Sequence, residues 1–314
     1  MVARRRPVGA RLLTAVLRAR LITGTLLVAG LLALLWADGA LAGPVRAADG
    51  AVLRFLGSAD GVLMVPLALA ALAPLLAVEL AAMLRGAGIA APTWLTVLAA
   101  VLGCAATRLP AGWSDAPAFA AGAFACAAWM TVTLALIAHT RGERIPGVVA
   151  GVGGTLLAFA YVGAMLGTWL LVRMQVGPWV LAGAVLTVKA SDIGAYAVGM
   201  TLGRRKMIPW LSPGKSWEGF AGGIAFAAAV GGMLAWASLG LEDPRDHVAP
   251  WLGAVTGAVL GVVGPFGDLA ESLLKRSAGV KDSGTMLPGM GGAFDVLDSL
   301  LLAGPVVMLA LSLR

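Results

Sequence analysis

The sequence predicts an all-α, polytopic integral membrane protein with about nine transmembrane helices. Of its 314 residues, 60% are hydrophobic and only 12% are charged, and the mean hydropathy is +0.91. Soluble domains carry roughly 25% charged residues, so this composition excludes a soluble fold. The 43 glycines are typical of transmembrane helices that approach each other closely.

A helix needs about 20 apolar residues to cross a hydrocarbon core of about 30 Å. The chain contains nine apolar runs of about this kind, of which the third is short, and no strand alternation is evident between them. The predicted spans are residues 21–41, 62–84, 93–107, 117–138, 148–172, 177–200, 220–239, 250–266 and 293–313.

The charges between the spans predict the orientation, because cytoplasmic loops carry the excess of Lys and Arg. Six arginines and no acid precede or begin the first span: Arg4, Arg5, Arg6, Arg11, Arg18 and Arg20. This favours a cytoplasmic N-terminus, and alternation then places residues 204–215 and 268–281 in the cytoplasm. Arg173, in a short external loop, is an exception to the rule. The alternative for the N-terminus is a cleaved signal peptide ending before Gly43.

The distribution of acids divides the chain into two parts. Only six of the 16 acids lie in residues 1–175, and ten lie in residues 176–314. We therefore expect residues 1–175 to be a transmembrane scaffold and residues 176–314 to be the catalytic region. Glu79, within the second span, is better interpreted as an interfacial or paired residue than as a transport acid.

The first polar segment of the catalytic region suggests a phosphate site. Lys189 and Asp192 lie in the sixth span, and residues 212–218 read Ser-Pro-Gly-Lys-Ser-Trp-Glu. A turn with backbone N–H groups, a hydroxyl and an ammonium that leads into a helix favours phosphate binding. It is not a P-loop, because that motif requires Gly where this chain has Pro209. The alternative is an ordinary basic cytoplasmic loop.

The second segment, residues 267–299, concentrates five acids and three bases in a hydrophobic environment. Asp268 and Glu271 are spaced i,i+3, as are Asp295 and Asp298, so each pair shares a face if helical. Ionised groups at membrane depth are costly unless they are paired or bind an ion. Two carboxylate pairs from two helices suit Mg²⁺, which takes one or two carboxylates and completes its shell with water and phosphates. Mutually neutralising ion pairs are the alternative, although these leave Asp295 and Asp298 unexplained.

At these segments the chain resembles the phosphatidate cytidylyltransferase (CDP-diacylglycerol synthase) family, whose signature is S-x-x-K-R-x4-K-D-x-G-x2-L-P-x-H-G-G-x-x-D-R-x-D. The matching residues are Ser272, Lys275, Arg276, Lys281, Asp282, Gly284, Leu287, Pro288, Gly291, Gly292, Asp295 and Asp298. Two positions depart from it, since Met290 replaces the usual His and Val296 the usual Arg. The loss of that Arg removes one phosphate contact.

The resemblance implies transfer of CMP from CTP to phosphatidate, with Mg²⁺ held by Asp268 and Asp295. The candidate catalytic residues are Asp268, Asp295, Asp298, Lys275 and Asp282. The candidate substrate-binding residues are Asp192, Lys215, Ser216, Glu218, Glu271, Ser272, Arg276 and Lys281.

The expected partners are CTP, phosphatidate and membrane lipid, and the resemblance suggests a homodimer. Nucleic acid is not expected, because no basic and aromatic face lies outside the spans. Compact loops and the lack of a Ser-rich leader favour a bacterial inner membrane. Two alternatives remain open: a CTP-dependent enzyme acting on another lipid, such as an isoprenoid alcohol kinase or an archaeol-type cytidylyltransferase, and an ion-coupled transporter.

Overall fold

The computed structural model describes residues 8–47, 60–110, 114, 116–140 and 145–313, and these are almost entirely helical. The helices are α1 (Val8–Ala47), α2 (Met64–Gly86), α3 (Thr93–Arg108), α4 (Pro117–Thr140), α5 (Val148–Gln175), α6 (Pro178–Leu202), α7 (Trp217–Ser238), α8 (Pro250–Ser277) and α9 (Phe294–Leu311). Two of them contain a π-helical segment, Ala68–Leu72 in α2 and Ala158–Ala164 in α5.

This architecture confirms the predicted fold class. Within the described ranges, eight helices are long and apolar enough to cross a membrane, and α3 is the short ninth. The N-terminal residues Arg4, Arg5 and Arg6 lie outside the described part of the chain, so the cytoplasmic orientation remains a prediction.

The eighth helix extends further than its apolar run suggested. It was predicted to end at residue 266, with a loop from Asp268 onward, but α8 continues to Ser277. Polarity does not stop a helix whose backbone hydrogen bonds remain satisfied within it. Asp268 and Glu271 therefore lie on helix, and the prediction that their i,i+3 spacing gives a shared face is confirmed.

A short hairpin joins α6 to α7 and corrects the predicted turn in residues 212–216. Strand β1 (Lys206–Ile208) pairs antiparallel with β2 (Ser212–Ser216). The strands are too short, and β2 is too rich in Pro and Gly, to show an alternating pattern. The prediction that this segment leads into a helix is confirmed, because the Ser216 hydroxyl accepts a hydrogen bond from Gly219 N and caps α7.

Glycines allow the helices of the second half to touch through their backbones. A Cβ on Gly257 of α8 would lie 2.3 Å from the carbonyl oxygen of Ala227 in α7. A Cβ on Gly267 of α8 would lie 2.5 Å from the carbonyl oxygen of Asp298 in α9. These approaches place α8 directly between α7 and α9 and bring the acids that follow Gly267 against α9.

An ion-pair network lies at the end of the molecule that is predicted to be external. Arg173 Nε is 3.0 Å from Asp38 Oδ2, Arg173 Nη1 is 3.4 Å from Asp60 Oδ1, and Arg245 Nη1 is 3.1 Å from Asp60 Oδ2. Arg173 and Asp38 are fully buried. Arg173 is therefore an exception to the charge rule because it neutralises buried carboxylates rather than facing solvent.

Candidate active site

Lys275 joins the two acid-bearing helices at the opposite end. Its Nζ lies 2.6 Å from Glu271 Oε2, one turn earlier on α8, and 2.6 Å from Asp295 Oδ1 in the first turn of α9. Glu271 is 2% exposed, and its second oxygen, Oε1, is buried without a hydrogen-bond partner among the described residues. One acid from each helix, Glu271 and Asp295, therefore meets the same ammonium group. The convergence of both i,i+3 pairs on one cation stays a prediction, since Asp268 pairs with Lys215 instead.

The two oxygens of Asp295 have different surroundings. Oδ2 accepts hydrogen bonds from the backbone N–H groups of Ser283 and Gly292, each at 2.8 Å, and lies 2.8 Å from Ser283 Oγ. Oδ1 contacts Lys275. The protein therefore anchors Oδ2 and presents Oδ1 to the charged cluster.

Glu79 contacts the start of α9, next to Asp295, although it belongs to residues 1–175, which the sequence predicts to be scaffold. Its Oε1 accepts a hydrogen bond from Ala293 N at 2.9 Å, and its Oε2 accepts one from Phe294 N at 2.9 Å. Oε2 also lies 2.8 Å from Ser283 Oγ. A carboxylate from α2 thus satisfies buried N–H groups at the start of α9 that have no partner within the helix, and the helix dipole favours a negative charge there. The one feature of the sequence that could have indicated this role is the position of an acid inside an apolar span.

Lys215 connects the hairpin to α8. Its Nζ lies 2.8 Å from Asp268 Oδ2 and 3.0 Å from the Pro265 carbonyl oxygen. Lys215 and Asp268 line a cavity of about 610 Å³. The polar part of its lining comprises Asp192, Lys206, Lys215, Ser216 and Asp268, and the larger apolar side chains are Tyr196, Met200, Met207 and Phe220. The cavity therefore combines cationic groups with an apolar wall.

Lys189, noted in the sequence but not selected as a site residue, links α6 to α9. Its Nζ lies 3.4 Å from Asp192 Oδ2, 2.8 Å from Ser299 Oγ and 3.0 Å from the Val296 carbonyl oxygen. Val296 occupies the position where the resembled family has Arg. A positive charge is therefore present beside this position, although it comes from another helix.

Asp298 is buried at 6% exposure on the next turn of α9. Its Oδ1 accepts a hydrogen bond from Ser299 N, and its carboxylate is within electrostatic range of Asp268, Glu271 and Lys189. Its charge therefore interacts with one residue from each of the three ion-pair groups, those of Lys215, Lys275 and Lys189.

The remaining candidates lie around the cluster rather than within it. Glu218 accepts hydrogen bonds from the backbone N–H groups of Arg204 and Arg205, at 3.1 to 3.2 Å, and thereby fixes the hairpin to α7. Ser216 caps α7. Ser272 is half-buried on α8.

Three charged residues of the signature face solvent. Arg276 is exposed and donates a hydrogen bond to the Val280 carbonyl oxygen at 3.3 Å. Lys281 and Asp282 are exposed on the loop between α8 and α9, and neither forms an ion pair with another described residue. These side chains are available to a ligand arriving from outside the protein.

The donors at this end fit a hard cation that arrives with phosphates. No three Asp, Glu, His or Cys side chains of the described residues converge as a complete metal site. Mg²⁺ does not need one, because it binds one or two carboxylates and takes other oxygens from phosphate and water. Asp268 and Asp295 each already neutralise an ammonium group, and the unpartnered Oε1 of Glu271 adds a buried anionic donor.

The sequence of this chain is similar to a protein family and to named bacterial proteins. Residues 50–314 match the profile described as the Cytidylyltransferase family. Proteins named phosphatidate cytidylyltransferase are similar to this chain. That of Mycobacterium bovis is 39% identical over 135 residues, which are 43% of this chain and 42% of that protein. That of Bacillus subtilis is 39% identical over 164 residues, covering 52% and 59% of the two chains.

A third relative extends this likeness to another bacterial group. The phosphatidate cytidylyltransferase of Pseudomonas aeruginosa is 41% identical over 157 residues, or 50% of this chain and 54% of that protein. The chain spans about half the length of the curated relatives it matches.

Proposed function

Because the chain belongs to the cytidylyltransferase family, we propose that it transfers CMP from CTP to phosphatidate, giving CDP-diacylglycerol and pyrophosphate. The relatives at 39% to 41% identity carry the name of this activity. The observation that carries the proposal is that α8 forms two ion pairs with neighbouring elements, Lys215–Asp268 and Lys275–Asp295, and that the first of them lines a cavity of about 610 Å³.

The reaction needs such a cluster because both substrates are anionic. An oxygen of the phosphatidate phosphate attacks the α-phosphorus of CTP, the bond between that phosphorus and the oxygen bridging to the β-phosphate breaks, and pyrophosphate leaves. Catalysis of such transfers depends mainly on positioning and on neutralising the charge that develops. Fixed ammonium groups reduce the repulsion between the two phosphates.

In this proposal, Lys215 and Lys275 contact phosphate oxygens. Each ammonium already lies against a carboxylate, so a bound phosphate shares the ammonium with that carboxylate, and the added negative charge requires further cations. Lys189 balances the acids on α6 and α9, and the exposed Arg276 and Lys281 contribute to the attraction of CTP. Mg²⁺, held by Asp268 and Asp295, would supply further charge neutralisation across the phosphates.

We further propose that the protein is inserted in a bacterial inner membrane with this site facing the cytoplasm. The apolar helices support membrane insertion, and the basic hairpin supports this orientation. A homodimer is the expected assembly from the resemblance, and cross-linking in detergent followed by mass measurement tests it.

The direct test uses purified protein, phosphatidate and CTP labelled at either the α- or the γ-phosphorus. Cytidylyl transfer places the α label in the lipid and the γ label in pyrophosphate, and a chelator of divalent cations stops both. Appearance of the γ label in the lipid would instead identify a kinase. Solute movement without any CTP dependence would identify a transporter. Glu242→Gln, an exposed carboxylate at the opposite end, is the matched control for substitutions of acids in the site.

A further inference from the structure

We propose that Glu79 is a positioning residue for Asp295, holding the start of α9 and the preceding loop so that Asp295 Oδ1 faces the charged cluster. The inference rests on the proposed function for its catalytic readout. It assigns part of the active centre to α2, in the half of the chain that composition identifies as scaffold.

Glu79 binds the start of α9 through both of its carboxylate oxygens. Both of its oxygens accept backbone N–H groups, from Ala293 and Phe294, where α9 begins. At 8% exposure the carboxylate is buried, and hydrogen bonds to a charged acceptor are stronger than those between neutral groups. Glu79 therefore determines where the helix starts, one residue before Asp295.

Ser283 bridges the carboxylates of Glu79 and Asp295. Its hydroxyl oxygen lies 2.8 Å from Glu79 Oε2 and 2.8 Å from Asp295 Oδ2. The Ser283 N–H donates to Asp295 Oδ2 as well. One residue of the loop thus contacts both carboxylates, so a displacement of Glu79 is transmitted to Asp295 by direct contact.

The loop between α8 and α9 approaches the Glu79 carboxylate closely at two glycines. A Cβ on Gly292 would lie 2.4 Å from Glu79 Oε2, and a Cβ on Gly284 would lie 2.9 Å from Oε1. The loop wraps so closely around the carboxylate that it leaves no room for side chains at these positions. The loop between α8 and α9 is therefore shaped around Glu79.

The geometry explains why the position of Asp295 depends on this support. Gly292, which also donates its N–H to Asp295 Oδ2, lies directly before Ala293. If the two N–H groups held by Glu79 lose their acceptor, Ala293 and Gly292 can move together. Asp295 then loses the donors on Oδ2, and Oδ1 no longer keeps a fixed direction.

The test compares Glu79→Gln with the wild-type protein and with Glu242→Gln, which makes the same chemical change at an exposed site. An amide keeps the size of the side chain but can offer only one acceptor oxygen to the two N–H groups. We expect kcat to fall at least tenfold while KM for CTP changes less than threefold. We also expect the Mg²⁺ concentration that half-protects the protein against thermal unfolding to rise at least threefold.

Ser283→Ala provides a second variant that leaves Glu79 and every backbone donor in place. It is expected to fold, and to shift kcat and the Mg²⁺ midpoint in the same direction by a smaller factor. In the double variant, the two effects on kcat should be less than multiplicative, because both substitutions disturb the contact between Glu79 and Ser283. If Glu79→Gln does not fold, the result for Ser283→Ala decides alone.

Two outcomes would overturn the inference. One is that folded Glu79→Gln protein has the wild-type kcat and Mg²⁺ midpoint, so that only its yield or melting temperature falls. The other is that Ser283→Ala leaves both quantities unchanged. Failure of the proposed function is recognised separately, because the wild-type protein would then form no CDP-lipid, while the Mg²⁺ protection measurement still reports on Glu79.

Discussion

Removal of the Lys275 ammonium is expected to destabilise the protein strongly, independently of any effect on catalysis. The ammonium lies 2.6 Å from both Glu271 Oε2 and Asp295 Oδ1, whose side chains are 2% and 7% exposed. Truncating one member of a buried ion pair costs about 3–5 kcal/mol, because the remaining charge is left uncompensated. Lys275→Ala should therefore lower the melting temperature by on the order of 10 °C.

The structure also predicts which carboxylate causes this loss. Asp295 keeps its donors on Oδ2 when Lys275 is removed. Glu271 has no backbone donor among the described residues, and its other neighbour, the Asp295 carboxylate, carries the same charge, so Lys275 is the cation that compensates it. Glu271→Gln should consequently restore most of the stability in the Lys275→Ala background, without restoring cytidylyl transfer.

Thermal unfolding of detergent-purified variants, followed by tryptophan fluorescence, measures these effects. Arg276→Ala is the matched control, because Arg276 is adjacent on α8 but exposed, with one hydrogen bond to Val280. Its melting temperature should stay within about 2 °C of wild type, as expected for a surface substitution. Equal melting temperatures for Lys275→Ala and Arg276→Ala would show that the Lys275 ammonium does not compensate buried charge.

The remaining predictions concern both ends of the molecule. Asp295→Asn and Asp268→Asn should each reduce turnover at least about 100-fold while the protein remains folded and inserted, as judged by gel filtration; near-normal turnover would contradict the metal assignment. Lys215→Ala should raise KM for CTP about 10- to 100-fold, from loss of a charged hydrogen bond of about 1.5–3 kcal/mol; an unchanged CTP titration would remove it from the site. Arg173→Ala should cost about 3–5 kcal/mol of stability in thermal unfolding, with unaltered activity per folded molecule. Burial raises the pKa of the Asp246 carboxyl, so its contribution to stability is complete at low pH and is lost as the pH rises through the raised value. The melting temperature of the wild-type protein should therefore fall relative to that of Asp246→Asn as the pH rises from the ordinary carboxyl range through the raised value, and thermal unfolding at a series of pH values measures this.

The sequence could predict the parts of the site that are encoded by short spacing. Asp268 and Glu271 share a face because α8 is regular over that stretch. Asp295 meets Glu271 across Lys275, and the intervening glycine-containing loop returns the chain to α8 through residues with positive φ, such as Gly289 and Gly291. Local patterns with defined geometry were sufficient here.

Glu79 could not be assigned in the same way. Its partners Ala293 and Phe294 are more than 200 residues away in sequence, at separations of 214 and 215. They contribute backbone N–H groups, which every residue except proline carries, so no residue type marks them as partners. Arg173 raises the same difficulty, because Asp38 and Asp60 become its neighbours only through helix packing.

The backbone contact between Gly267 and Asp298 fixes the spacing of the two acid-bearing helices. No side chain lies between them at this point, so repacking cannot adjust the distance between their axes. A change in bound charge is therefore expected to move the lysine and carboxylate side chains rather than the spacing of the two helices. In the proposed reaction, this contact would keep the main chain at Gly267 and Asp298 in place while substrates and products exchange.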